Sequence, residues 1–212
     1  AYVVPIPYYD KNPDGTLGKF NYEGKEYPDY VPVVHYETYD LSKRRPDIIY
    51  IHNPYDEYNF VTSVDPRFYS SELKKYTDCL VYIPYYVYDE SINSAERHYV
   101  LSAGVLNSDR VITQSPKFAD LFKKTLLSEF GDTSDNRKIV NDKIHGLGSP
   151  KFDAVNDHKK GNYDIPSEWK EIIGDKKVVL YNTHISMLMK ENYKRFIPKL
   201  REVIDYFKNR DD

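Results

Sequence analysis

The sequence holds a single cysteine, Cys79, so no disulfide framework organises it. Its six histidines include no His-x-x-x-His pair, and no Cys-x-x-Cys accompanies them, which argues against a metal centre. Long apolar runs are missing too. The most apolar stretch, Leu80-Val81-Tyr82-Ile83-Pro84-Tyr85-Tyr86-Val87-Tyr88, is too short to span a bilayer and is interrupted by proline. Neither charge sign dominates: 30 Lys and Arg against 33 Asp and Glu leave −3, too balanced for a strong non-specific hold on nucleic acid. No basic segment leads into an apolar one at the start, so no secretory signal is expected. No internal repeat or low-complexity tract is present.

What the sequence has in excess is tyrosine, with 22 residues against nine phenylalanines and one tryptophan. Tyrosine pairs an apolar body with a polar tip and is enriched where surfaces recognise ligands or partners, although it also serves at the rim of a core. The 212 residues suffice to bury roughly 70% of the unfolded surface, so the core needs no staple, and they suit one domain plus part of a second. The chain opens on Ala1-Tyr2-Val3-Val4-Pro5, which reads as a strand already under way, and ends on Arg210-Asp211-Asp212 just after a helix. Both ends read as those of a segment excised from a longer protein.

Short β-branched or aromatic runs recur at 48–51, 80–83, 110–113, 143–146 and 177–181, with helical patterns between them. Their spacing is roughly thirty residues, the length of a βα unit. The runs are near-continuously apolar, which predicts a Rossmann-like parallel sheet covered by helices on both faces. Residues 2–8 and 30–35 are read as further strands. Between them Asn12-Pro13-Asp14-Gly15 signals a turn, and Gly18 and Gly24 mark the region as loop-like. The clearest helix follows Thr113-Gln114: Ser115 caps it, Pro116 suits its first position, and Phe118, Leu121, Phe122, Thr125 and Leu126 form one stripe. Further helices are expected near 71–76, at 95–106 with His98, Leu101, Ser102 and Val105 facing inward, and at the end of the chain. There Tyr193, Phe196, Ile197, Leu200, Ile204 and Phe207 keep the helical period, and Pro198 predicts a kink or a late start. Residues 131–137 read as a polar loop. The expected organisation is a Rossmann-like domain at 1–156, a linker at 157–175 and the first βα unit of a second α/β domain at 176–212.

In open parallel sheets, ligands bind beyond the carboxyl ends of the strands. The first candidate site is therefore His52-Asn53-Pro54-Tyr55-Asp56-Glu57-Tyr58, with His52 as general base oriented by Asp56 or Glu57. The same residues read equally well as a histidine and an asparagine that tie down a long loop. Tyr85-Tyr86 is a candidate aromatic platform or a piece of packing. Thr183-His184-Ile185-Ser186 suits phosphate at a helix start, or plain helix capping. His145-Gly146-Leu147-Gly148-Ser149-Pro150 is neither a P-loop nor a GxGxxG fingerprint, yet its glycines permit close backbone approach at an interdomain crossing. His98 reads as a satisfied core histidine.

Taken in order, Ser102-Ala103-Gly104-Val105-Leu106-Asn107-Ser108-Asp109-Arg110-Val111-Ile112-Thr113-Gln114-Ser115, then Gly148-Ser149-Pro150-Lys151-Phe152-Asp153, then Lys177-Val178-Val179-Leu180-Tyr181-Asn182-Thr183 resemble the CDP-glycerol glycerophosphotransferase family of teichoic-acid polymerases. The stretch from Tyr50 to Tyr58, with Leu80-Val81-Tyr82-Ile83-Pro84-Tyr85, resembles a divergent branch of it. The resemblance implies a two-domain GT-B-type fold of which this chain carries the acceptor half. The implied reaction is transfer of glycerol phosphate from CDP-glycerol to a hydroxyl of a cell-wall polymer or lipid-linked acceptor, with release of CMP. Acceptor contacts are expected at Asn53, Tyr55, Glu57 and Tyr85 and donor-phosphate contacts at Gly148, Ser149, Thr183, His184 and Ser186, with no metal or other cofactor and no nucleic-acid partner. The expected location is cytoplasmic, at the inner face of the plasma membrane, with peripheral membrane association of the whole protein. The family's Trp-His-Gly element has no counterpart here, since Pro84-Tyr85-Tyr86 occupies its place, so His52 with Asp56 stands in as the catalytic pair. A nucleotide-sugar glycosyltransferase on the same scaffold and a non-catalytic polymer- or partner-binding module are the alternatives.

Overall fold

A computed structural model describes residues 1–25, 27–88, 97–157, 164–183 and 192–208. The chain divides into two compact units, Ala1–Asp157 and His158–Asp212.

The first unit is α/β. Strands β3 (Ile48–Ile51), β5 (Cys79–Tyr82), β6 (Arg110–Thr113) and β7 (Ile144–Gly146) form a parallel sheet in that spatial order. In register, Ile51 faces Tyr82, Tyr82 faces Val111, and Val111 faces Ile144. Helices α3 (Arg97–Val100), α4 (Ala103–Asn107), α5 (Pro116–Phe130) and α6 (Ser134–Lys143) supply the remaining structure of this half. A parallel sheet whose strands follow one another without reversal, with right-handed crossovers, carries all its connecting helices on one face. The core has that arrangement: Tyr82, Val111 and Ile144 pack with Val100, Val105, Phe118, Phe122, Leu126 and Val140, one or more from each of the four helices. A second cluster of Tyr36, Phe68, Leu73 and Leu80 lies beside it, with Ile49 and Ile51 packed against it.

The expected parallel sheet flanked by helices is present, with coverage uneven between its two faces. Residues of the opposite parity are open on β3, where Ile48 and Tyr50 are exposed, half-buried at Cys79, Arg110 and Ile112, and buried only at Val81. Hydrophobic content alone does not distinguish a covered face from an open one.

Helix α5 forms as its sequence dictates. Ser115 Oγ accepts from the Phe118 N–H at 3.4 Å, Pro116 occupies the first turn, and the N–H of Gly131 closes on the Leu127 carbonyl. Residues 131–137, read as loop, instead lead into α6. Thr133 caps it by accepting from the Asn136 N–H at 3.2 Å, and Val140 alone is buried from this otherwise polar helix. The expected helix at 95–106 is interrupted between α3 and α4. Ser102 is extended and donates its hydroxyl to the Tyr99 carbonyl at 2.9 Å, a local bond that competes with helix continuation. Val105 and Ser102 face inward as expected, but His98 is exposed and not a core histidine. The helix expected at 71–76 is present as α2 (Ser70–Leu73) followed by a 3₁₀ turn, Lys74–Tyr76.

The first forty residues hold more structure than their turn signals suggest. Strand β1 (Tyr8–Lys11) pairs antiparallel with β2 (Leu17–Asn21) across the predicted turn and with β4 (Thr62–Val64) on its other side. The turn is braced by the Asp14 carboxylate, which accepts from the Thr16 N–H at 3.0 Å and its hydroxyl at 2.6 Å. The first strand begins at Tyr8 and not at Tyr2, because Pro5 and Pro7 remove donors that a ladder requires. Ahead of it only Val3 bridges Val33, in the segment 30–35 that Pro32 likewise interrupts. Helix α1 (Leu41–Arg44) starts at Asp40, whose carboxylate accepts from Ser42 and Lys43.

β7 leads into α7 (Pro150–Asp157), which ends the first unit. In the second unit α8 (Ser167–Ile173) occupies part of the stretch read as linker, and α9 (Asn192–Lys208) runs through Pro198, so the late start is not seen. The expected strand at 177–181 is not formed. A strand exists only as part of a ladder, and among the described residues nothing pairs with this segment, whose Val178, Val179 and Leu180 are exposed. No described helix is long and apolar enough to cross a membrane.

Candidate functional site

The carboxyl ends of β3, β5 and β7 converge on one cleft of about 340 Å³ lined by Tyr50, His52, Pro84, Tyr85, Pro150 and Lys151. His52 follows β3 directly. Its ring meets the Tyr85 ring edge-on, with centroids 6.2 Å apart at 88°. Packing of part of the ring holds its pKa below the ordinary histidine value, which favours the neutral imidazole. Lys151 follows Pro150 at the start of α7, where Ser149 Oγ accepts from the Lys151 N–H at 3.3 Å.

Tyr85 also lines a much larger cavity of about 1020 Å³. Tyr55, Tyr58 and Phe60 from the loop after β3, His98 and Tyr99 from α3, and Ala103 and Asn107 from α4 complete most of its wall. The loop is held by backbone chemistry. Gly104 N–H donates to the Pro54 carbonyl at 2.8 Å, so α4 presses directly on the loop. A Cβ on Gly104 would lie 2.7 Å from Pro54 Cα, which is why a glycine stands there. Asn53 Oδ1 accepts from the Tyr55 N–H at 2.9 Å, an Asx turn that commits this amide to the backbone.

Asp56 does not orient His52. It is buried, with a left-handed φ of 49°, and its carboxylate accepts from the Ser70 N–H at 2.9 and 3.0 Å and from the Ser70 hydroxyl at 2.6 Å. Asn107 adds a bond to the same hydroxyl at 2.8 Å. Burial pushes the Asp56 carboxyl above the usual carboxylate range, with the Ser70 bonds opposing. The residue fastens the loop to the start of α2, the role that reading His52-Asn53 as a structural tie assigns to this segment as a whole. Glu57 remains at the cavity, and its carbonyl accepts from the Lys11 ammonium.

Behind Tyr85 stands a stack of tyrosines. Tyr86 meets Tyr85, Tyr88 and Tyr99 at centroid distances of 4.9, 5.0 and 5.6 Å, and Tyr88 stacks on Phe118 at 5.4 Å. The Tyr86 and Tyr88 hydroxyls are 3.2 Å apart, and Tyr82 donates to Tyr86 at 3.5 Å. Burial, reinforced by the neighbouring hydroxyls, drives all three far above the ordinary tyrosine value. Gln114, at the end of β6, fixes this segment to the sheet by bonding the Tyr88 N–H and carbonyl.

Of the residues singled out in the sequence, His52, Tyr85 and the segment beginning at Gly148 share the carboxyl edge, while Tyr55 and Glu57 line the large cavity. Gly148, at φ 112°, donates its N–H to the Thr113 carbonyl at 3.1 Å and turns the chain into α7, where Ser149 caps. Thr183 lies in the second unit outside any helix or strand, and His184 and Ser186 lie outside the described residues. Sequence reading assigned His98 to the core and passed over Tyr99, whose ring lies 4.0 Å from that of His98 at the cavity. Among the described residues no three His, Cys, Asp or Glu side chains converge as metal ligands would. Compared with known proteins, the chain matches no family model, no curated protein and no solved structure.

Proposed function

We propose that the first unit is the acceptor-binding half of a GT-B-type transferase that moves glycerol phosphate from CDP-glycerol to a hydroxyl. One observation carries the reading: a histidine and a lysine line one cleft at the carboxyl edge of a parallel sheet, and Tyr85 borders both that cleft and an aromatic cavity large enough for an acceptor. At about 1020 Å³ the cavity lies at the upper end of the roughly 300–1,000 Å³ typical of ligand sites.

In this reading an acceptor hydroxyl loses its proton to the His52 imidazole as its oxygen attacks the β-phosphorus of CDP-glycerol. A new P–O bond forms, the pyrophosphate P–O bond breaks, and CMP leaves. Lys151, beside the amino end of α7, offsets charge on the phosphate oxygens. Tyr85, edge-on to His52, limits the directions from which a hydroxyl approaches.

The test is phosphorus NMR of CDP-glycerol and a hydroxylated acceptor incubated with the protein at its native length. CMP is the expected product, and His52→Gln is expected to slow its release by about 10²–10⁴-fold, the usual contribution of a general base. Undiminished CMP release by His52→Gln removes the histidine from the chemistry. Turnover of nucleotide sugars, with CDP-glycerol untouched, reassigns the donor. A second reading, a binding module without catalysis, is favoured by the engagement of Asp56 with Ser70, which leaves His52 without that carboxylate to orient it. Acceptor binding without turnover of any donor supports it.

A further inference from the structure

We propose that the large cavity seats an uncharged, polyhydroxylated chain, a neutral glycan, and not a phosphate polymer. The inference rests on the acceptor-side reading only in taking this cavity as the acceptor's seat.

The first argument is charge. Among the described residues no lysine or arginine lines the cavity, whereas Glu57 does, and Asp56, its carboxylate turned to Ser70, forms part of the wall. The other titratable groups facing it are His98 and tyrosines. A polyanion entering such a wall meets charge of its own sign, with no cation to offset the lost hydration. Lys151, by contrast, stands on the far side of Tyr85, in the cleft assigned to the donor. Cation and acceptor seat are thus segregated by one ring.

The second argument is surface chemistry. Phe60 is 98% exposed and Tyr58 69% exposed at the mouth of the cavity. Neither ring contributes to the buried core, so holding them in water is of no benefit to the fold. Aromatic faces carry negative potential and suit the polarised C–H face of a sugar ring. Around them Ser71 offers its hydroxyl, while Asn59, Asn107 and Ser102, each already bonded within the protein, keep further donor or acceptor capacity for sugar hydroxyls.

The third argument is extent. A second cavity of about 520 Å³ lies against the same residues 57–61 and reaches Lys11, Asn12 and Gly15 at the β1–β2 turn. Lys11, the cation lining it, already donates to the Glu57 carbonyl. The strap that carries Tyr58 and Phe60 therefore has a cavity on each side, which suits several linked units better than one.

The experiment is saturation-transfer NMR and calorimetry of the full chain with two probe sets: neutral cello-, chito- and manno-oligosaccharides, and a glycerol phosphate oligomer. The expected result is binding of a neutral oligosaccharide, strengthening with chain length and insensitive to ionic strength from about 0.01 to about 1 M. Phe60→Ala and Tyr58→Ala, both at exposed positions that leave the fold intact by circular dichroism, should each weaken it by about tenfold, as loss of one stacking platform does. Salt-sensitive binding of the phosphate oligomer alone overturns the proposal, as does neutral binding untouched by both substitutions or no binding by either set. The two readings fail separately: glycan binding with no CMP release sinks the transferase and leaves the glycan seat, whereas transfer to phosphate polymers only does the reverse.

Discussion

Replacing Gly104 by alanine tests whether α4 fixes the loop that begins at His52. The added methyl would lie 2.7 Å from Pro54 Cα and 3.2 Å from the Asn53 carbonyl oxygen, both backbone atoms. Pro54 is fully buried, so it cannot swing aside as a surface side chain would. Forcing a methyl into such a contact costs about 1–3 kcal/mol. If α4 retreats instead, the Gly104 to Pro54 hydrogen bond is lost, at about 1 kcal/mol. Against this, alanine is the better helix former by about 1 kcal/mol. The balance is a loss near ~1 kcal/mol, and at about 2–4 °C per kcal/mol for a chain of this size the Tm falls by roughly 2–4 °C. Thermal unfolding followed by circular dichroism measures it. In the folded variant the His52 ring proton resonances shift, because the loop they begin has moved. An unchanged or raised Tm refutes the argument, since helix propensity would then outweigh a contact that yields freely.

Four further outcomes are expected. Asp56→Ala removes the acceptor for both the Ser70 N–H and its hydroxyl and should cost about 1–3 kcal/mol in urea unfolding, while Asp56→Asn, which keeps an acceptor and tolerates the left-handed φ, should lose less; equal losses sink the capping role. Because the folded Asp56 pKa is raised, the native state binds that proton more tightly, so the stability it lends is present at low pH and lost as pH rises through the carboxylate range. Tyr82, Tyr86 and Tyr88 keep their protons in the fold while unfolded tyrosine ionises near pH 10, so stability falls as pH rises past about 10 and absorbance at the phenolate band should rise late and together with unfolding. Burial lowers the Lys143 pKa to about 8, so the unfolded chain binds more protons between that value and the model-peptide value of about 10.4 and stability gains with pH there; Lys143→Met should remove that gain, and an identical pH profile in the variant contradicts it.

The parallel sheet was legible because apolar runs such as Ile48 to Ile51 and Arg110 to Thr113 stand out against polar flanks. The β1–β2 hairpin was not, since Tyr8 to Lys11 is half-buried throughout and Leu17 to Asn21 mostly exposed, so neither shows the alternation that betrays a strand. The open face of the sheet escaped notice for a related reason: Ile48 and Tyr50 are as apolar as their covered neighbours. At the site, position relative to strand ends placed His52 and Tyr85 correctly on the carboxyl edge. The bond from Asp56 to Ser70 spans fourteen residues and depends on how the 3₁₀ turn at Pro66–Phe68 aims α2, which no local pattern encodes. His98 was misplaced because an interrupted helix loses its phase, and Ser102 supplies the interruption.

Tyr85 belongs to the walls of two cavities at once. A turn of a ring shared by both walls alters both spaces. Occupancy on its two sides is therefore thermodynamically linked, and whatever factor a molecule in the cleft imposes on affinity in the larger cavity is returned in equal measure. Order of arrival then matters only to rates, and a single side chain sets whether two ligands compete or cooperate.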